Sequence, residues 1–415
     1  MAASSRKSLI VVGGGPVGIE MALAVVRDGS WSVTIVEQGD RPAANIATWG
    51  HVRLFSAWSL NVSAAGLDVL DTMGVPRPAS ADIPTGDEFT HAYLQPIWRF
   101  LGANERCALR LSTQVISIAR GSLLKGDMGS DRRRQQRFRV LVTSKSGADE
   151  EVIECDAVID ASGTYGNANW LGVGGIPALG ERQLRSRIMV GIPDVFGADR
   201  SLFTGRKVTA LIGCGYSAIT TLNLLKRFAE EESPKQPDGS ACARVVWLTR
   251  REGGGQPYKL IPNDPLPDRD ALSQLGNAFA AGTVDSPALE VKYLGGVQLG
   301  QISESAAGMK LTLFSAEGGS TSIRPGFGSR THTHATRFLA PWRAQVCMRS
   351  SRTTWWPMWA TAPTSQSSKS YRYPARVCAR ACVRAARARE RVCTLHQSHR
   401  CALIQRRNAG VSDAL

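Results

Sequence analysis

The chain has 415 residues, 43% of them hydrophobic, which suits two buried cores, and it has no unbroken 18-residue apolar run for a membrane span. Its net charge of +15 is uneven: 325–415 hold 16 of the 50 basic residues but only two of the 35 acids, Glu390 and Asp413. The first 324 residues are therefore almost neutral, at 34 basic against 33 acidic, so the basic character that invites a nucleic-acid or membrane reading belongs to the tail alone.

The opening MAASSRKS has no apolar core of its own and is not expected to be a signal peptide. A short strand, Leu9–Val12, then feeds Gly13-Gly14-Gly15-Pro16-Val17-Gly18. Gly13 gives the turn its backbone freedom, Gly15 lets a pyrophosphate approach the main chain, and Gly18 lets the next helix, Ile19–Arg27, pack on the strand. The N-terminus of that helix favours an anion. A second strand, Ser32–Val36, ends in Glu37, where a carboxylate can hold ribose hydroxyls. The alternative is a tight strand–helix turn with glycines for packing alone, which leaves Glu37 without a purpose.

Farther along, a helix is expected over 87–101, kinked or ended early by Pro96. Leu109–Ile118 and Phe138–Thr143 read as strands joined by a basic solvated turn at Arg132-Arg133-Arg134. The apolar run 155–159 ends at Asp160 and breaks at Gly163, and 166–205, rich in Gly and Pro, reads as a connector. Val208–Ile212 leads into a second glycine loop, Gly213-Cys214-Gly215-Tyr216-Ser217-Ala218, with alanine in the third glycine's place. A helix over Tyr216–Phe228 and a strand over Arg244–Thr249 follow, ending in Arg250-Arg251 instead of an acid. Guanidinium there suits a 2′-phosphate, which favours NADPH over NADH; the alternative is ordinary surface charge. Residues 252–269, with four prolines, read as a long loop over the nicotinamide site, and Leu289–Leu294 and Met309–Phe314 as closing strands. Beyond the two glycine loops no internal repeat is legible.

With "DAVIDASGTYG" between its two loops, the chain resembles the two-dinucleotide-fold flavoproteins, the class of flavin-containing monooxygenases and pyridine-nucleotide reductases, over roughly residues 8–322. The resemblance implies that Gly13, Gly15, Pro16, Gly18 and Glu37 bind the ADP half of FAD, with Asp160 and Gly163 closing that domain on it. It likewise implies that Gly213, Gly215, Ser217, Ala218 and Arg250 bind the nicotinamide nucleotide. Trp49–Trp58 falls where such proteins place residues near the flavin. There His51 is a candidate proton donor and Arg53 a candidate stabiliser of negative charge. His51 can equally be a satisfied loop histidine, Arg53 a phosphate ligand, and Trp49 and Trp58 either stack on a ring or are buried aromatics. No Cys-x-x-Cys precedes residue 324, which disfavours a dithiol relay. The F-x-G-x-x-x-H fingerprint of Baeyer–Villiger and N-oxidising enzymes is also missing, since 191–200 contain no histidine.

The last quarter breaks the pattern. From Gly318 to Arg389 there is no acid, and 325–415 hold five of the nine cysteines (Cys347, Cys378, Cys382, Cys393 and Cys401) without metal-ligand spacing. It reads as a C-terminus replaced near residue 325 by a frameshift or mis-spliced exon; RNA or DNA phosphate binding and a basic membrane helix are the weaker alternatives.

The expected fold is therefore α/β, with two Rossmann-like dinucleotide-binding domains (a FAD domain with an inserted NAD(P)H domain) and a disordered C-terminal tail. The boundaries are 1–165 for the FAD domain, 166–205 for a connector, 206–324 for the NAD(P)H domain and 325–415 for the tail. The expected activity passes hydride from NADPH to FAD and on to oxygen or a small organic acceptor, without a metal, nucleic-acid or membrane partner. The rival reading is a nucleotide-binding remnant or regulatory protein without turnover. Four scattered cysteines in the body suit a reducing compartment, hence a cytoplasmic expectation. Nothing in the sequence sets the oligomeric state.

Overall fold

The computed structural model describes residues 6–127, 131–144, 147–205, 207–233, 241–250, 256–305 and 308–315, together with the backbone of Ser320–Ile323 and Gln345–Met348. Residues up to Gly50 and Ser56–Gly163 form one compact unit; His51–Phe55 and the described residues from Thr164 to Met348 form another.

The first unit opens with β1 (Lys7–Val12), α1 (Pro16–Asp28) and β2 (Trp31–Val36). A helical crossover follows: α2 (Ala44–Ala47), α3 (Trp58–Asn61), α4 (Ala64–Thr72), α5 (Gly86–Phe89), a π-turn over Thr90–Leu94, and α6 (Gln95–Gly102). It leads to β3 (Cys107–Arg110), then β4 (Thr113–Arg120), α7 (Asp131–Gln135), β5 (Phe138–Ser144), β6 (Glu150–Cys155) and β7 (Ala157–Asp160). β3, β2, β1 and β7 make a parallel sheet in that spatial order, while β4, β5 and β6 make an antiparallel meander. Ile10 and Val36 from the sheet and Phe138, Val140 and Val142 from the meander share one buried cluster.

Three expectations are corrected here. Leu109–Ile118 is not one strand, because Ser112 takes φ 50° and sends β3 into the parallel sheet and β4 into the meander. Of the two outcomes expected at Pro96, a kink or an early end, the early end does not occur: a wider π-turn precedes the proline, which can accommodate its missing N–H and its ring, and the chain stays helical to Gly102. Arg132-Arg133-Arg134 lie on the short helix α7 instead of a turn, with Arg134 paired to Asp131 on the same face (3.4 Å).

The connector 166–205 packs with the second unit. It contributes β8 (Ile188–Val190) and α8 (Arg200–Phe203), and Gly172 and Leu179 bridge to Leu299 and Gln301. Buried Glu181 fixes this segment by accepting the backbone N–H groups of Leu171 and Ala178 (3.0 and 2.8 Å). Then come β9 (Val208–Ile212), α9 (Tyr216–Glu232), β10 (Ala243–Leu248), α10 (Pro267–Ala281), β11 (Leu289–Leu294), β12 (Val297–Ser305), β13 (Gly308–Ser315), β14 (Ser320–Ile323) and β15 (Gln345–Met348). β11, β10, β9, β15 and β8 form a parallel sheet, and β12, β13 and β14 a second meander. The proline-rich segment has no regular element over 256–266 and becomes α10 at Pro267; residues 251–255 lie outside the described residues.

The repeat therefore extends well beyond the glycine loops. Apart from β8, an added edge strand of the second sheet, the strand that precedes each glycine loop (β1, β9) lies between the next strand and the last, the third strand flanks the second, and an antiparallel meander separates third strand from last. Backbone hydrogen bonds repeat as well: Gly13 N donates to Val36 O and Gly213 N to Leu248 O, both at 2.8 Å. Sequence comparison misses this duplication because the crossover lengths and side chains differ while the strand order is the same. β15 also arises inside the anomalous tail, where composition predicts no element; the rest of 325–415 lies outside the described residues.

Candidate functional sites at two glycine loops

The first loop starts where β1 stops. Gly13 takes φ 101°, and a side chain there would stand 2.6 Å from the Ala161 carbonyl oxygen. Gly18 is held as tightly, with the Gly13 carbonyl oxygen 1.9 Å from where its Cβ would be. Gly15, which caps α1 ahead of Pro16, faces open space: nothing lies within 4 Å of a Cβ placed there. Glycine is thus needed at 13 and 18 for conformation and packing, while at 15 the bare backbone borders room for a ligand.

Glu37 follows β2 directly and is buried. One carboxylate oxygen accepts Gly14 N–H (2.6 Å) and the other Gly39 N–H (2.7 Å), so the acid is bound to the glycine loop itself. Each oxygen keeps a further lone pair, which a ribose hydroxyl can use. Asp160 ends β7 beside Val12 and accepts the N–H and hydroxyl of Ser162 (3.0 and 2.6 Å), and the chain then turns at Gly163 with φ 68°.

Behind α1, Tyr93 donates to Glu20 and accepts Ser63 N–H (2.7 Å). Burial raises the Glu20 carboxyl above its ordinary value, and burial together with the neighbouring Glu20 carboxylate raises the Tyr93 hydroxyl. This network braces α1 against α4 and the π-turn. Trp49 and Trp58 are both buried; Trp58 packs on Phe89 (5.8 Å between rings), so both fill the core of this unit.

The second loop repeats the turn with different support. Gly213 takes φ 120° and Gly215 caps α9. Thr249 N donates to Leu294 O just as Glu37 N donates to Arg110 O, so Thr249 occupies the acid's place and Arg250 lies one residue beyond, exposed. This corrects the register read from sequence, in which the strand ran through Thr249 and arginine stood directly in place of the acid. Thr249 is buried and its hydroxyl shares a hydrogen bond with Tyr293 (2.9 Å), a neutral arrangement in place of a carboxylate. Ser217 and Ala218 are both buried in the first turn of α9, on its packed face.

Several residues around this loop carry no sequence motif. Tyr258 donates to Gly215 O (3.1 Å), and Asn277 grips the Tyr258 backbone at both N–H and C=O (2.9 Å each). Trp247 donates from its indole nitrogen to Gly213 O (2.8 Å). Tyr216 shares a hydrogen bond with Ser273 (3.1 Å), whose hydroxyl donates to the carbonyl of Arg269 (3.0 Å). Arg269 and Asp264 form a buried two-pronged ion pair, and the guanidinium holds the Asp264 carboxyl below its ordinary range. In the sequence this stretch shows only its prolines, which mark a loop and single out none of these side chains.

The candidates His51 and Arg53 belong to the second unit. Arg53 faces Asp268 at the start of α10 (3.6 Å, both exposed), and Phe55 meets Tyr216 edge-on (5.5 Å). The structure therefore brings Arg53 and Phe55 toward the second loop. Nε2 of His51 is buried and makes no hydrogen bond, contrary to a satisfied loop histidine. Cys107, Cys155, Cys214 and Cys242 form no disulfide, and burial pushes the thiols of Cys107 and Cys155 up to about 12 and about 11, which makes them poor nucleophiles. Among the described residues no group of His, Cys, Asp and Glu could hold a metal ion, and no helix is long and apolar enough to cross a membrane.

No protein-family model and no curated protein matches the chain. Among solved structures it is similar to FAD-bound DfoA, the cadaverine monooxygenase of desferrioxamine biosynthesis from Erwinia amylovora, at 13% identity over 83% of this chain and 78% of that one, with a TM-score of 0.51. It is also similar to the ornithine hydroxylase PvdA of Pseudomonas aeruginosa (14% identity, 84% and 83%, TM-score 0.49). A third similar structure is the bacillithiol disulfide reductase Bdr of Bacillus cereus (17% identity, 77% and 76%, TM-score 0.48). With a glycine turn opening each of its two parallel sheets, and the likeness to DfoA across most of both chains, this protein has the two-dinucleotide-binding-domain flavoprotein fold.

Proposed function

We propose that the chain is an NAD(P)H-dependent flavoprotein oxidoreductase that binds FAD at the first loop and NADPH at the second. The observation that carries this reading is the pair of complete strand–glycine–helix–strand nests on one chain, one with a carboxylate at the ribose position and one with a threonine followed by arginine. FAD and NADPH together supply hydride transfer, delivered to oxygen or a small organic acceptor. The chain positions them: the N-termini of α1 and α9 take the two pyrophosphates, Glu37 takes the ribose of FAD, and Arg250 takes the 2′-phosphate of NADPH. In this reading His51 serves as proton donor and Arg53 as stabiliser of negative charge. DfoA, which shares the fold, is bound to FAD and acts as a monooxygenase, in line with this reading.

The test is the visible spectrum of the purified full chain before and after anaerobic NADPH. A flavin spectrum that bleaches on addition supports the assignment, and a colourless protein that cannot be loaded with FAD overturns it. Changing Glu37 to Ala leaves Gly14 and Gly39 N–H without their acceptor and is expected to weaken FAD retention about tenfold, leaving NADPH affinity unchanged. Equilibrium dialysis of each nucleotide separates the two effects. Arg250→Ala is expected to lower the preference for NADPH over NADH about tenfold, read from the ratio of the two kcat/KM values.

A further inference from the structure

The two glycine loops differ at one position, and the difference calls for a compensating residue. In the first loop the Gly13 carbonyl oxygen lies 1.9 Å from where a Cβ of Gly18 would stand, so that geometry admits only glycine. The second loop has Ala218 at the matching position, buried in the first turn of α9, and a methyl group cannot share that space with a carbonyl oxygen. With Ala218 in place the Gly213 carbonyl needs a different setting from its counterpart; Gly213 has φ 120° where Gly13 has 101°. A displaced carbonyl inside a buried turn needs a donor. It has one in Trp247, whose indole N–H reaches Gly213 O at 2.8 Å.

Register identifies Trp247 as the matching residue to Ile35. Trp247 pairs with Leu211 and Ile35 with Val11, each two residues before its glycine turn. The Ile35 side chain has no N–H, so the first loop has no counterpart of this bond. Trp247 is completely buried, stacked against Tyr258 (6.2 Å between centroids, 26°) and packed on Tyr293 (4.8 Å), so its indole cannot turn away from the loop. Tyr258 in turn fixes the other carbonyl of the loop, Gly215 O, and a side chain at Gly276 would collide with its ring at 2.4 Å.

We propose that Trp247 is the positioning residue of the second nucleotide loop: its indole N–H holds the Gly213 carbonyl in the orientation that Ala218 imposes and so sets the loop for the pyrophosphate. The inference rests on reading this loop as the NADPH site.

The experiment is a double-mutant cycle in the full FAD-loaded protein with Trp247→Phe, Ala218→Gly and the pair together, read by NADP+ affinity, NADPH steady-state kinetics and thermal unfolding without nucleotide. Trp247→Phe is expected to weaken NADP+ about tenfold and raise KM for NADPH with kcat little changed. Ala218→Gly in the Phe background is expected to return affinity to within about threefold of the parent, because the carbonyl regains the geometry of the first loop. Parent-like affinity in Trp247→Phe, or equal loss in the single and double variants, overturns the proposal. If Trp247→Phe does not fold, recovery of folding in the double variant supports the pairing, and equal failure of both overturns it. A parent that binds neither NADPH nor NADH overturns the reading of the site instead; the pairing then stands or falls on whether the unfolding temperatures are non-additive.

Discussion

Replacing Gly18 with valine is expected to strip the protein of flavin. The Gly13 carbonyl oxygen lies 1.9 Å from the position of a Cβ at residue 18, and the side chain of Val11 lies 3.3 Å from it, so even one methyl group must displace the turn or lift α1 from β1. Overpacking a rigid interior costs about 1–3 kcal/mol, and here the obstruction is backbone, which yields less than a side chain. Moving α1 also breaks the bond from Gly14 N–H to Glu37 and pulls Glu20 from Tyr93. The expected result is a loss of FAD affinity of at least a hundredfold and a fall in stability of about 3 kcal/mol. Flavin content after gel filtration and urea unfolding measure the two. Retention of flavin at the parental level would mean that the cofactor does not rest on this loop.

Arg269→Met is expected to destabilise the protein more than any surface charge change. Asp264 and Arg269 are almost wholly covered, and Asp264 also accepts Leu266 N–H (3.0 Å). Removing the guanidinium leaves a buried carboxylate without its countercharge, which typically costs about 3–5 kcal/mol. The sign with pH follows from the direction of the shift. Arg269 lowers the folded-state pKa of Asp264, so the pair contributes fully above the unfolded value of about 4 and loses that contribution as pH falls through the folded value. The gap between parent and Arg269→Met should therefore be widest near neutral pH and narrow in acid. Adding Asp264→Leu should recover most of the loss, since an apolar pair of similar size can replace a buried ion pair. Urea unfolding at both pH values, for parent and both variants, checks all three statements.

Both glycine turns, their strands and their helices were legible in the sequence because the constraint is local: a backbone turn admits glycine and little else. Glu37 was legible for the same reason, as the polar residue that ends an apolar strand. Thr249 was misplaced by one residue because strand ends are set by pairing with β11, which no local pattern records. The split between β3 and β4 was hidden because Ser112 takes its left-handed conformation only where the Gly39 carbonyl waits for its N–H (2.7 Å). His51 and Arg53 were chosen by analogy with other chains, and the structure takes them to the second unit. Trp247, Tyr258 and the Asp264–Arg269 pair act on the loop through tertiary contacts 30 to 60 residues away along the chain, where spacing carries no information.

The place of β15 has a consequence for how the chain is made. β9 is complete at residue 212, but its second parallel neighbour emerges only with Gln345–Met348, and β8 has no other partner in the sheet. At ordinary translation rates the ribosome needs on the order of ten seconds to cover that interval. Throughout it the nascent second unit exposes an open strand edge made of Val208, Ala210 and Ile212, the kind of edge that recruits other chains. Any change in the reading frame between residues 324 and 345 therefore acts on the survival of the newborn chain as well as on the finished fold.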